Sequence, residues 1–400
     1  MFLRSRSDHG ERNAYGGLNM KRIDKALLKN LLETRMQADL AAERVGGAAL
    51  IVRQEGEVCY KGVFGTRNPA GEPVTDDQIY RLASMTKPVT AVAAMCLHDD
   101  GRLDLDAPIS RWLPAYARQN IVEPDGSGGL RVVGESRTPI TVRHLLTHTS
   151  GLGSGDAGSI QCIGETGAAR ETLRGMTDFY ADQGLAFEPF TAQMYSGLVA
   201  FSVMARIIEI ISGEGYNDFL IRRIFTPCGM TDTTFLPNDD QWTRIIGMFD
   251  RQDEHGCFSF TNPGCVFENY PASSCLGGAG LVSTLHDYSA FAEMLLNGGM
   301  SGSTRVISAA AHALLCHAHV PESIMSGNQN WGLGVRVITD ESYGPLPVGT
   351  YGWSGAYGTH FWIDPVNRIT AVFLKNSRYD GGAGCVTGVH FEQDVAAALV

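Results

Sequence analysis

The sequence predicts an α+β protein in which an antiparallel sheet of five or more strands, flanked by helices, carries a mostly helical insertion. Three observations predict this class. Runs of strand character sit near both ends of the chain, the middle carries apolar residues at helical spacing, and a composition of 44% hydrophobic and 19% charged residues fits a globular core. At 400 residues the chain is long enough for two or three ordinary domains. The pattern implies a flexible leader over 1–22, a discontinuous sheet domain over 23–95 and 275–400, and a helical domain over 96–274, with a site expected in the cleft between the last two.

The leader is polar and lacks the apolar run of a secretory signal, and no stretch approaches the ~18 uninterrupted apolar residues of a spanning helix, so a cytoplasmic location is expected. Residues 23–45 place Ile23, Leu27, Leu28, Leu31, Leu32 and Met36 at helical spacing and predict an opening amphipathic helix. The period then changes. "GAALIVRQ" and "VCYKGVFG", either side of Glu55-Gly56, predict a β-hairpin.

Helices are expected in "TVRHLLTHTSG", "ARETLRGMTDFYAD", "YSGLVAFSVMARIIEIISG", "YNDFLIRRIF" and "TLHDYSAFAEMLLNGG", two of which end at glycine, a normal helix stop. Residues 121–139 are expected to form a loop. Three further strands are expected in "NWGLGVRVI", "YGWSGAYGTHFWID" and "NRITAVFLK", the last two joined by the Asp364-Pro365-Val366-Asn367 turn. "FEQDVAAALV" predicts a final helix over one face of that sheet.

The net charge of -11, with no basic cluster in the sequence, argues against nucleic acid or an anionic membrane as partner and leaves a small molecule as the expected one. Nine cysteines, an odd number without a C-x-x-C pair, argue against a disulfide framework and a zinc site and fit buried free thiols in a reducing compartment. Cys257 and Cys265 are the pair closest in sequence.

The chemistry concentrates at "RLASMTKPVTAVAAM". If a helix begins at about Ser84, residues three apart share a face, so the Ser84 hydroxyl can meet the Lys87 ammonium. A serine hydroxyl becomes a nucleophile only when a base takes its proton, and lysine serves as that base when burial lowers its pKa. The helix N-terminus adds N–H groups that favour a developing oxyanion, and Pro88 is tolerated near a helix start. Serine is also a common N-cap and lysine a common surface residue, so the pair needs partners downstream.

"SMTKPVTAVAAM", followed by "DDGRLDLDAPISRWLP", "ITVRHLLTHTSGL", "MYSGLVAFSVMARIIE", "CLGGAGLVSTLHDYSAFAEMLL" and "YGWSGAYGTHFWIDP", resembles the serine hydrolases of the class C β-lactamase and penicillin-binding-protein fold. The resemblance runs from about residue 45 to the C-terminus. It implies Ser84 as nucleophile, Lys87 as base, and Tyr195 as the tyrosine of the Y-x-N motif, which shuttles a proton to the leaving group. It aligns Trp353-Ser354-Gly355 with the family's K-T-G or H-x-G strand, and it makes the N–H groups of Ser84 and Ala356 the oxyanion donors. Gly355 would let substrate approach the strand closely, with Tyr357 beside it. No cofactor and no metal is implied.

Two departures from the family pattern bear on substrate. Gly197 stands where Y-x-N has its asparagine, and Trp353 where the third motif has a cation. A charge-assisted hydrogen bond is worth roughly 1.5–3 kcal/mol, so losing amide and cationic contacts together weakens lactam and peptide recognition. A tryptophan wall favours apolar acyl or alcohol groups. The W-x-G form resembles the family VIII carboxylesterases and related acyltransferases. The expected function is therefore ester hydrolysis through an acyl-serine. The alternatives are acyl transfer, amide or D-amino-acid peptide cleavage or weak β-lactamase activity through the same intermediate, and, outside enzymology, an inactive penicillin-binding-like sensor.

Other motifs carry less. "GSGDAG", residues 153–158, matches G-x-G-x-x-G without a βαβ unit and is expected as a glycine-rich loop beside the cleft. His144 and His148, four apart on an expected helix, lack the glutamate of a metalloprotease motif, and "CHAH" at 316–319 is a poor metal site. There is no G-x-S-x-G, which weakens an α/β-hydrolase reading.

Overall fold

The computed structural model describes residues 20–251, 259–261, 274–325, 327 and 330–400. Most of the expected leader, and both Cys257 and Cys265, lie outside the described residues. The first helix, α1 (Lys25–Ala41), starts at the N-cap Asp24, whose carboxylate accepts from the Ala26 and Leu27 N–H groups. It stops short of the expected residue 45, since Glu43 turns the chain at φ 52°.

Strands β1 (Gly47–Gln54) and β2 (Glu57–Gly65) form the expected hairpin. Helices α2 (Thr86–Asp99), α3 (Val142–Leu146), α4 (Gly155–Ile163), α5 (Val199–Ser212) and α6 (Leu285–Leu296) follow, with further helical segments between them, among them Leu173–Ala181. The chain returns to the sheet through β3 (Asn330–Trp331), β4 (Arg336–Val337), β5 (Tyr351–Ser354), β6 (His360–Asp364) and β7 (Ile369–Lys375), and closes with α7 (Val386–Ala397). The result is a seven-stranded antiparallel sheet of order β3-β4-β5-β6-β7-β1-β2 within a β-lactamase/transpeptidase-like α+β fold.

The two ends of the chain meet at the β1–β7 pair, in register from Ala48 opposite Lys375 to Gln54 opposite Ile369. Side chains alternate across a strand, and both faces of these strands are apolar. Ala48, Leu50 and Val52 of β1 and Ile369, Ala371 and Phe373 of β7 face a core with Leu28, Leu32 and Met36 of α1 and Phe391 and Val395 of α7. Ala49, Ile51, Val372 and Leu374 face the opposite core, which includes Tyr288 and Phe291 of α6 and continues through α2 and α5. That second face carries the site.

Two expectations need correction. "NWGLGVRVI" and "YGWSGAYGTHFWID" each form two strands, not one. In the second, the Gly355 N–H donates to the Thr359 carbonyl (2.7 Å) and Gly358 takes φ 83°, closing a turn between β5 and β6. Residues 121–139 are mostly a hairpin, with strands Asn120–Pro124 and Leu130–Glu135. The Asp125 carboxylate accepts from the N–H groups of Ser127 (2.7 Å) and Gly129 (3.0 Å), a side-chain-capped turn that the apparent loop composition conceals. Among the described residues no helix is long and apolar enough to cross a membrane.

Candidate active site

Ser84 sits in a 3₁₀ turn, Ala83–Met85, that runs into α2, so the α-helix proper begins two residues later than expected. Ala83 has φ 48°, an uncommon conformation for a residue with a Cβ. The turn is tied down on both sides. The Arg81 N–H donates to Asn376 Oδ1 and the Leu82 N–H to the Leu281 carbonyl, each at 2.9 Å.

One turn of helix further on, Lys87 is fully buried, on a helix whose residues from Thr86 to Leu97 are all buried. Its Nζ donates to Ser84 Oγ (3.2 Å), the Gly197 carbonyl (2.6 Å) and the Gly278 carbonyl (2.8 Å). Burial pushes its pKa down, with Tyr195 acting in the opposite direction. A neutral lysine amine has two N–H groups and one lone pair. With two carbonyls taking the two protons, the lone pair is left for the Ser84 hydroxyl.

Tyr195 comes from the extended segment before α5, and its ring centre lies 4.9 Å from Lys87 Nζ. Trp353, on the cleft face of β5, donates its indole N–H to the Tyr195 hydroxyl oxygen (3.1 Å) and packs against the Trp331 ring at 4.5 Å between centroids. Beyond the apolar wall expected from sequence, Trp353 therefore supplies a hydrogen-bond donor aimed at the phenol oxygen.

Its neighbour Ser354 points to the opposite face of the sheet. There its Oγ meets His360 Nδ1 (2.9 Å), and His360 Nε2 meets Glu392 of α7 (3.0 Å), which also accepts from Arg336 (3.2 Å). The Ser354 side chain is thus spent on a buried network away from the cleft. Gly355 is sterically required, because a Cβ there would collide with the Leu82 carbonyl and Thr359 Oγ1. Thr359 Oγ1 donates to that same carbonyl (2.9 Å), joining the β5–β6 turn to the chain just before Ser84. In that turn Ala356 is exposed, and among the described residues its N–H has no hydrogen-bond partner. Tyr357 packs beside Ala83 and Met248, against the turn carrying Ser84.

Gly197 is exposed, and a Cβ on it would meet nothing within 4 Å. It lines a pocket of about 440 Å³ with Tyr195, Leu198, Gly153, Gly155 and Gly158, a lining that does not include Ser84, Lys87 or Trp353. The glycine-rich stretch over 153–158 borders this pocket beside Tyr195, and from Gly155 onward it is helix α4 instead of the expected loop.

Sequence reasoning missed three groups here. The Gly278 carbonyl holds Lys87, and a Cβ on Gly278 would press on the Leu198 carbonyl at 2.8 Å; the glycine pair in "CLGGAG" was the available signal. Trp331 stacks near Tyr195, at 5.9 Å between centroids. His148 is fully buried behind Tyr195 and lies beyond the end of α3, which closes at Leu146, so the expected helix carrying both histidines stops short. His144 instead caps α3 by accepting from the Thr141 N–H (3.2 Å), and His319 meets Arg143 (3.2 Å) and the Leu314 carbonyl (2.8 Å). Among the described residues, no group of three or more His, Cys, Asp or Glu side chains is arranged to hold a metal ion.

A seven-stranded antiparallel sheet whose cleft joins a buried lysine to a serine at a helix start defines a β-lactamase-like architecture with a hydrolase-type site. The chain belongs to the beta-lactamase family, whose profile matches residues 28–389. It is 32% identical over 352 residues to Protein Rv1367c of Mycobacterium tuberculosis (strain ATCC 25618 / H37Rv), covering 82% of this chain and 85% of that one. It is 29% identical over 398 residues to Esterase EstB of Burkholderia gladioli, covering 91% and 94%. In fold it is similar to EstCE1, described as a hydrolase with promiscuous acyltransferase activity, with a TM-score of 0.75 at 24% identity over 94% of this chain and 98% of that one.

Proposed function

We propose that the protein is a carboxylesterase that cleaves small-molecule esters through an acyl-serine. The observation that carries this reading is Lys87, held by two backbone carbonyls with its third contact on Ser84 Oγ at 3.2 Å. As the Ser84 oxygen attacks the ester carbonyl, Lys87 takes the hydroxyl proton. The oxyanion is met by the N–H groups of Ser84 and Ala356. The C–O bond to the alcohol then breaks, the Tyr195 hydroxyl protonates the departing oxygen, and Lys87 returns its proton to the phenol. Water repeats the sequence to release the acid.

The preference for esters rests on Gly197 and Trp353. Gly197 offers no amide to a peptide or lactam and leaves the cleft open at Tyr195. The Trp353 indole N–H donates to the phenol oxygen and so favours a developing phenolate, a task for which a cation is dispensable. Trp353→Phe keeps the wall and removes that donor. Losing one hydrogen bond of about 0.5–1.5 kcal/mol is expected to lower kcat on alkyl esters roughly 3- to 10-fold. Trp353→His is expected to raise cephalosporin hydrolysis, because an imidazolium can pair with the substrate carboxylate; unchanged cephalosporin turnover would count against this account of specificity.

The similarity to Esterase EstB, and to a hydrolase described as having promiscuous acyltransferase activity, supports acyl transfer to an alcohol as a second outcome of the same intermediate. Product ratios with water, alcohols and amines as competing acceptors measure that partition. The direct test of the reading is a crystal soaked with a phosphonate ester. Phosphorus bonded to Ser84 Oγ, with the phosphonyl oxygen at the Ser84 and Ala356 N–H groups, is the expected result, and an unmodified Ser84 in a reactive soak would sink it.

A further inference from the structure

His148 brackets Tyr195 from both sides along the chain. Its carbonyl accepts from the Met194 N–H and its Nδ1 from the Ser196 N–H, each at 3.0 Å. Its ring packs on the Tyr195 ring at 4.5 Å between centroids and is itself wedged against Trp331 at 4.3 Å and Phe201 at 5.3 Å. The residue immediately before Tyr195, its ring, and the residue immediately after it are therefore all held by one side chain and its own backbone.

The chemistry of this imidazole is unusual for a filler. With Nδ1 accepting, the ring proton is assigned to Nε2, which is buried and has no hydrogen-bond partner. An unpaired buried polar group costs about 1–3 kcal/mol, a cost that an apolar ring in the same place would avoid. Protonation would set an Nδ1–H against the Ser196 N–H, and burial together with the Lys87 charge keeps the ring neutral by lowering its pKa well below 6.5. The backbone at His148 is also left-handed, with φ 58°, a conformation that histidine, asparagine and glycine tolerate better than most residues.

We propose that His148 is a positioning residue for proton delivery: it clamps residues 194–196 so that the Tyr195 hydroxyl stays where it can protonate the departing alcohol. This rests on the acyl-serine reading above. When the ester C–O bond breaks, an alkoxide must receive the Tyr195 proton, whereas 4-nitrophenolate leaves without one. A displaced Tyr195 therefore slows acylation by alkyl esters selectively, deacylation being common to both, while a general loosening of the fold slows acylation by both kinds of ester alike.

The test compares His148→Asn, which keeps the left-handed backbone and an acceptor near Nδ1, with His148→Gly, which keeps the backbone alone. His148→Gly is expected to lose about 100-fold in kcat/KM, which reports acylation alone, on an alkyl acetate, with kcat/KM for 4-nitrophenyl acetate within a few-fold of wild type, while His148→Asn largely restores the alkyl ester value. Equal losses on both esters, or an asparagine variant as impaired as the glycine variant, would overturn the proposal. If His148→Gly does not fold, His148→Ser, whose hydroxyl is too short to reach the Ser196 N–H, carries the same comparison. Intact-mass labelling of Ser84 by a fluorophosphonate separates the two levels. An unlabelled wild type counts against the acyl-serine reading itself, and a labelled wild type with equal losses counts against His148 alone.

Discussion

Replacing Ser84 by alanine is expected to lower kcat for short-chain aryl esters by at least about 10⁴-fold and to abolish covalent labelling, while the protein stays folded. Among the described residues the hydroxyl has one hydrogen bond, from Lys87 Nζ at 3.2 Å, and Ser84 is only partly buried, so its loss removes little packing. Lys87 keeps its two carbonyl acceptors without it. Any residual rate would come from the oxyanion donors and from binding, as in other acyl-enzyme hydrolases stripped of the nucleophile. Ester turnover retained by a folded Ser84→Ala protein would move the chemistry elsewhere in the molecule.

Replacing Lys87 by methionine is expected to cost about 10³-fold or more in kcat, and to change how activity and stability depend on pH. In the wild type the base must be neutral, so kcat/KM rises with pH as Lys87 loses its proton. Because burial lowers the Lys87 pKa, that rise is complete at a lower pH than the 10.5 of an exposed lysine would allow. The stability argument has the same origin. Between the lowered folded pKa and 10.5 the unfolded chain binds one more proton than the folded one, so this group makes stability rise with pH there, by up to about 1.4 kcal/mol per pH unit. Below the folded pKa its destabilising contribution is constant. Subtracting the Lys87→Met stability curve from the wild-type curve isolates this slope from the titration of other buried groups. A difference that stays flat across pH would mean that Lys87 is not held at a lowered pKa.

The main elements of the sheet were legible because their patterns are local. β1 and β7 are mainly apolar runs, β2 is legible as the second arm of a hairpin turning at Glu55-Gly56, and α1 and α5 carry apolar residues at helical spacing. The split of residues 351–364 into β5 and β6 was not legible, since Trp353 through Phe361 reads as one aromatic, glycine-containing stretch. Its turn depends on the Gly355 N–H finding the Thr359 carbonyl and on Gly355 lying against the Leu82 backbone, more than 270 residues earlier in the chain. The hairpin over 120–135 hid behind loop composition for a related reason: the Asp125 side chain organises five polar and glycine residues that propensity alone assigns to a loop.

At the candidate site, the sequence by itself determined which residue types stand at which spacing. Ser84 and Lys87 are three apart at a helix start, and that periodicity alone brings hydroxyl and amine together. It also marked Tyr195, Gly197 and Trp353 through motif resemblance, and assigned Trp353 an apolar role. Only the tertiary structure decided which way side chains face and what they touch. Strand alternation sends Trp353 to the cleft, where its N–H meets Tyr195, and sends Ser354 to His360 on the far side. The carbonyls of Gly197 and Gly278 and the imidazole of His148 converge on Lys87 and Tyr195 from 47 to 191 positions away along the chain. No local pattern encodes those encounters, because a backbone carbonyl has no residue identity and a buried histidine looks the same in sequence whether it fills space or packs against Tyr195.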